Sequence, residues 1–263
     1  MSRYAAMFDR LAARGEGAFG AFLMLGDPDL DTSLGLLGAV IAAGADMIEV
    51  GIPFSDPVAD GPVIQAAAQR SLAAGVRTAD CFALIAKVRE RNPHIPIGIL
   101  TYANLVVARS RERFFDEAAA AGADSLLIAD LPAFEAEPWA EAMRGAGLGP
   151  VLIAASNTPA DTLVRIARLS QGYTYCVSRA GITGTHAEAR FDPALVAALK
   201  AAGAPPPVFG FGISTPDHVR AALAAGAAGV ICGSAIVDCA AGGGDVAALV
   251  RDLKQATGND SAS

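Results

Sequence analysis

The chain has 263 residues, 53% hydrophobic and 18% charged, which is enough to bury a core and excludes a disordered chain. Its net charge of −7 comes without a basic cluster, which argues against nucleic acid or an anionic membrane surface as a partner. A phosphate ligand would then be held mainly by backbone N–H groups.

The first segment predicts a helix over 4–14, and its charges Asp9, Arg10 and Arg14 leave no apolar stretch for a signal peptide. The uncharged apolar run 34–45 is too short to span a bilayer. A cytoplasmic protein is expected. Eight buried strands are then predicted at 18–25, 46–51, 95–100, 125–129, 150–154, 173–177, 208–211 and 229–233. They lack period-2 alternation, as strands covered on both faces do. Helices are predicted between and after them at 32–43, 62–91, 111–121, 134–144, 159–169, 192–202, 216–225 and 246–257, and a frayed tail from 258. Ala-Ala-Gly-Ala recurs at 42–45, 120–123, 201–204 and 224–227. Each copy reads as a helix end with a left-handed Gly cap, followed by a strand.

Eight β-then-α units in this length predict an α/β protein, a single (β/α)8 TIM barrel with an extra N-terminal helix, in one domain over 1–263. The alternative is a Rossmann-like sheet, but no GxGxxG follows the first strand. The four cysteines, Cys81, Cys176, Cys232 and Cys239, form no CxxC pair and read as small apolar residues.

The active site of a barrel lies where strands end. Alternation in 46–51 puts Met47, Glu49 and Gly51 on one face and Ile48 and Val50 on the other. With Ile48 and Val50 against helices, Glu49 points into the open end of the barrel. A carboxylate there is costly unless functional or paired. The plain alternative is a salt bridge at the rim, which the scarcity of lysine disfavours: only Lys87, Lys200 and Lys254 are present. Asp60 lies in a loop stiffened by Pro53, Pro57 and Pro62, and its plain alternative is to cap the helix that follows. Asp56 shares that alternative without the stiffness argument's inward direction.

Gly-rich turns follow the sixth, seventh and eighth strands, at 180–184, 211–214 and 233–235. The last two occupy the usual phosphate position of barrels, where loop amides and a short helix N-terminus meet an anion. Plain turn chemistry is the alternative. The three lysines fall in predicted helices, so a Schiff-base or pyridoxal mechanism in this chain lacks its strand-end lysine. His94, His186 and His218 are scattered, which disfavours a metal centre. Acid/base chemistry by carboxylates on a phosphorylated substrate remains, with Tyr102, Tyr175 and Thr183 as hydroxyl helpers. Phe22, Leu100, Leu127, Ile153 and Phe211 would form an apolar wall for a flat part of that substrate.

The stretch 49–65, Glu-Val-Gly-Ile-Pro-Phe-Ser-Asp-Pro-Val-Ala-Asp-Gly-Pro-Val-Ile-Gln, closely resembles the signature of the tryptophan synthase alpha chain family. Further matches lie at 25–28, 102–104, 129–132, 178–184, 210–214 and 233–237, in family order over nearly the whole chain. Met24 and the stretch 185–188 depart from the pattern. The resemblance implies cleavage of indole-3-glycerol phosphate to indole and glyceraldehyde 3-phosphate. It implies Glu49 as general acid/base, Asp60 as the second catalytic carboxylate, and Tyr175 and Thr183 in support. It also implies phosphate binding by Gly184, Gly212, Ile213, Gly233 and Ser234. No cofactor is implied in this chain. The partner it implies is a pyridoxal-phosphate-dependent beta chain in an alpha2beta2 heterotetramer, docked through Pro53, Asp56 and Pro57. Two other readings stay open on the residues alone: another phosphosugar barrel of the isomerase or synthase type, and an idle barrel kept to bind a partner.

Overall fold

The computed structural model describes residues 1–177 and 191–258. Helix α1 (Arg3–Ala12) precedes strand β1 (Ala18–Met24), and α2 (Leu30–Ala42) leads to β2 (Met47–Gly51). Then come α3 (Pro62–Ala73), α4 (Thr78–Arg91), β3 (Ile97–Thr101), α5 (Ala103–Val107), α6 (Arg111–Ala120) and β4 (Ser125–Ile128). The middle of the chain holds α7 (Ala136–Gly145), β5 (Gly149–Pro150), β6 (Ile153–Ala155), α8 (Ala160–Leu169) and β7 (Thr174–Val177). After the undescribed stretch come α9 (Pro193–Ala201), β8 (Pro207–Phe209), α10 (Pro216–Ala224), β9 (Gly229–Cys232), α11 (Ser234–Ala241) and α12 (Val246–Gln255).

All strand pairs are parallel, in the order β5-β4-β3-β2-β1-β9-β8-β7-β6. The two ends of this order are one stretch of chain. Residues 149–150 pair with β4, and residues 153–155 pair with β7. Between them the Val151 N–H donates to the Leu126 carbonyl at 3.0 Å, and the Leu152 carbonyl accepts from the Tyr175 N–H at 3.1 Å. The fifth strand thus closes the barrel: Gly149 and Val151 bond the β4 side, while the Pro150 carbonyl accepts from the Gln171 N–H at 2.7 Å on the β7 side, yet the paired ladder lies with β4 below and with β7 above.

The predicted fifth strand, 150–154, is therefore two short pieces. Pro150 faces the β7 side with its carbonyl and has no N–H to give there, so the ladder with β7 starts only at Ile153. The predicted helix 62–91 is also two helices, broken at Gly75, whose φ of 80° ends α3 in the left-handed region. Two short helices, α5 and α11, had no counterpart in the sequence reading. The αβ joints are as expected, with left-handed glycines at Gly44, Gly122, Gly203 and Gly226.

The aspartates that follow two of these joints anchor the lower end of the barrel. Asp46 accepts from the Phe19 N–H at 3.0 Å, and Asp124 accepts from the Ile97 N–H at 2.8 Å. Arg89 and Arg3 both bond Asp124, at 2.7 and 2.8 Å. Cys81, Cys176 and Cys232 are buried free thiols, and Cys239 is half-buried. Among the described residues no helix is long and apolar enough to cross a membrane.

Candidate active site

Strand register stacks the inward side chains in layers. Phe22, Glu49, Gly98 and Ser125 stand side by side on β1 to β4. Met24, Gly51, Leu100 and Leu127 form the layer above, nearer the loops that follow the strands. Across the barrel, Ile153 pairs with Tyr175. Phe22, Leu127 and Tyr175 are buried, whereas Leu100, Ile153 and Phe211 are half-buried. The Phe211 ring meets Tyr175 edge to face at 6.0 Å. The expected apolar wall therefore surrounds Glu49.

Glu49 is 2% exposed and has no cationic partner among the described residues. The rim salt bridge is thus rejected. Its Oε1 accepts from the Tyr173 hydroxyl at 2.7 Å, while Oε2 is buried and unpartnered. Burial pushes its carboxyl up to about 7, Tyr173 opposes the shift, and the nearby Asp60 adds to it. Because Tyr173 donates to Oε1, a proton on this acid resides on Oε2, the atom with no partner among the described residues.

Asp60 sits in the loop between β2 and α3 and is also buried. Gly61 is the N-cap of α3, and no side chain caps it, so Asp60 is not spent as a helix cap. Its carboxyl is pushed up to about 6 by burial, partly offset by a hydrogen bond with Tyr102. The loop is fixed from two sides. The Tyr102 hydroxyl accepts from the Ala59 N–H at 3.2 Å, and Gln65 Nε2 donates to the Asp60 carbonyl at 2.7 Å. Tyr102 is itself held by Phe54, whose ring lies 5.3 Å away. The Tyr102 hydroxyl thus helps to fix the loop that carries Asp60.

Beneath Glu49 a buried set of hydroxyls was not anticipated. Tyr173 packs against Tyr4 of α1 at 5.3 Å, and the Tyr4 hydroxyl is hydrogen-bonded to Ser125 Oγ at 2.9 Å. A Cβ on Gly98 would lie 3.0 Å from both the Tyr4 hydroxyl and Ser125 Oγ, so glycine makes room for this cluster. The signal for Tyr173 was available: it lies two residues before Tyr175, hence on the same face. Tyr173→Phe removes a donor to the charged form of Glu49. The pH dependence of turnover should then move upward by about one to two units, from a charge-assisted bond of about 1.5–3 kcal/mol. A lower rate with an unmoved pH midpoint would show Tyr173 to be packing alone.

The residues expected to hold a phosphate among those described lie where β8 and β9 end. Gly212 is in the left-handed region at φ 80°. Ile213 is buried, and its carbonyl accepts from the Cys232 thiol at 3.2 Å. Gly233 precedes α11, and Ser234 opens it, so the first-turn N–H groups of a helix of eight residues face the mouth end of β9. Thr183 and Gly184, together with the rest of the loop 179–190, lie outside the described residues, as do 259–263.

At the rim, Asp56 is exposed, Pro57 half-buried and Pro53 buried. The apolar surface of this loop is carried instead by Val58, 72% exposed. Val107, at the end of α5 after β3, and Phe134, on the loop after β4, are 54% and 71% exposed. The Ala103 N–H donates to Asp130 at 2.8 Å and joins those two loops.

A family model described as "Tryptophan synthase alpha chain" matches residues 8–259. A tryptophan synthase alpha chain from Shewanella amazonensis is 51% identical over 238 residues, 90% of each chain. One from Escherichia coli is 50% identical over 238 residues, 90% of this chain and 89% of the other. Among solved structures, a tryptophan synthase from Mycobacterium tuberculosis superposes with a TM-score of 0.89 at 32% identity, over 97% of this chain and 98% of that one. A protein from Aquifex aeolicus superposes with a TM-score of 0.91 at 33% identity, over 98% and 100%.

Proposed function

The chain belongs to the tryptophan synthase alpha chain family, and from that premise we propose that Glu49 and Asp60 divide its chemistry between them. It is a lyase of tryptophan biosynthesis that cleaves indole-3-glycerol phosphate to indole and glyceraldehyde 3-phosphate.

The cleavage is a retro-aldol reaction. Indole C3 takes up a proton, the C3–glycerol bond breaks, and the glycerol hydroxyl loses its proton as its carbon becomes the aldehyde. Glu49 gives its Oε2 proton to C3 and, as a carboxylate, takes the hydroxyl proton, so it ends the cycle as it began. An acid titrating at about 7 populates both forms near neutrality. Protonated indole carries positive charge that reaches its ring N–H. Asp60, titrating at about 6, is ionised at pH 7 and stabilises that charge. The carrying observation is the pair itself: two buried carboxylates with no cation beside them among the described residues, both raised by burial and each hydrogen-bonded to its own tyrosine.

The phosphate is held by the amides of 212–214 and 233–235, with the Ser234 hydroxyl. A Cβ on Gly233 would lie 3.5 Å from Phe22, an ordinary contact, so the backbone accepts a side chain there. Gly233→Leu should fold, fill the mouth beside Phe22, and raise KM at least tenfold with a smaller effect on kcat. An unchanged KM would move the phosphate elsewhere.

The family works with a beta chain, which holds the pyridoxal phosphate. The complex is an alpha2beta2 heterotetramer in the cytoplasm. Docking uses the rim, through Asp56, Pro57, Val58, Val107 and Phe134, because three adjacent loops there expose apolar side chains. The test is to add indole-3-glycerol phosphate to the purified chain and measure indole with and without the beta chain. Release should occur alone and rise on titration of the beta chain, and Phe134→Asp or Asp56→Ala should weaken that activation only. No indole in either condition would refute the reading, and activation indifferent to both substitutions would place docking on another face.

A further inference from the structure

We propose that a second cavity, in the wall of the barrel between β4 and β6, binds a small neutral aromatic molecule, with indole as its occupant. The choice of indole rests on the reading above, whereas the cavity does not.

The cavity follows from the split fifth strand. Its lower half pairs with β4 only opposite Ser125 and Leu126, and its upper half has gone over to β7. Beside Ile128 the wall between β4 and β6 therefore lacks a strand-to-strand ladder. Helix α7 covers this seam from outside, with Ala136 and Ala140 toward it. Alanine side chains are too short to fill the space. These two alanines and Leu169 form a small apolar cluster separate from the main core. What is left is a cavity of about 160 Å³ lined by Ile128, Leu131, Ala140, Met143, Val151, Ile153 and neighbours that are also apolar.

An apolar cavity of about 150 Å³ stays dry and takes benzene, so this one has the volume for an aromatic ring. It offers no charged or hydroxyl-bearing side chain, so an ionic ligand would find no charged partner there, whereas backbone groups in the lining remain for a neutral ring's N–H. Its open side lets a bicyclic ring extend outward and lets an indole N–H stay in water. Ile153 belongs both to this cavity and to the inner wall, where it pairs with Tyr175. A ring bound here presses on the substrate wall from behind, so product that escapes the mouth acts back on substrate binding.

The experiment saturates the mouth with a non-cleavable indole-alkyl phosphate and then titrates indole, following the Met143 methyl signal by NMR. A saturable shift with a contact from indole protons to that methyl is expected. Ala140→Leu, which fills the space, should abolish it and raise Tm. Ala136→Val is the milder substitute, should Leu overpack. No saturable shift at Met143, or one that survives a folded filling variant, would overturn the proposal. A response at Met143 in a chain whose mouth refuses the phosphate ligand would sustain the cavity and remove the assignment of the mouth.

Discussion

Glu49→Gln should abolish indole release and at the same time make the chain more stable above neutral pH. The amide keeps an acceptor for the Tyr173 hydroxyl but has no proton to give or take. Loss of a general acid costs on the order of 10²–10⁴-fold in rate, and more where one group serves both proton transfers. The stability effect has a definite sign. The carboxyl rises from 4.5 in the unfolded chain to about 7 in the folded one, so the unfolded state ionises first as pH increases. The wild type therefore loses stability between about pH 4.5 and 7, by roughly 3 kcal/mol from a shift of about 2.5 units. Gln carries no such penalty. Urea unfolding should show a variant equal to wild type near pH 4.5 and more stable by that order at pH 8.5. Retained activity would remove the catalytic assignment, and an equal gain at both pH values would remove the raised carboxyl.

Asp60→Asn should lower kcat by about two to three orders of magnitude, as loss of one preorganised electrostatic group does, and change KM much less. The charge it removes matters most when the ring is protonated, so the loss falls on the transition state. A second effect follows from the buried pair. The Asp60 charge is one of the causes that raise Glu49, so Glu49 should titrate lower in the variant and the pH optimum should shift to more acidic values. A change in KM alone would make Asp60 a binding residue. An unmoved optimum would mean that the two carboxylates do not sense each other.

What the sequence disclosed depended on whether the signal was local. Alternation over five residues was enough to aim Glu49 inward, and three prolines were enough to announce a rigid loop around Asp60. The αβ joints were legible because each is written in four consecutive residues. The break at Gly75 carried the same Ala-Ala-Gly writing at 73–75, followed by Val76 rather than Ala, and passed as helix. The hydroxyl cluster was not local: Tyr4 meets Ser125 across 121 positions of chain, and only the strand register brings them together. The split of the fifth strand is likewise a choice between two neighbours, which a single strand's pattern does not record. Exposed apolar side chains at Val107 and Phe134 became visible as one surface once β3 and β4 were neighbours.

The start of the chain has a role that its position would not suggest. Ser2 caps α1 through the Ala5 N–H, Arg3 fastens that helix to the Pro93 carbonyl and to Asp124, and Tyr4 stands under Tyr173. Tyr4, held in place by this helix, thus supplies part of the floor of the chamber in which Glu49 titrates. Replacing Tyr4 by Ala would open a route for water from below, and a better hydrated Glu49 would return toward ordinary carboxylate acidity. The pH optimum of a reaction carried out at the opposite end of the barrel would then move with a side chain of the first helix.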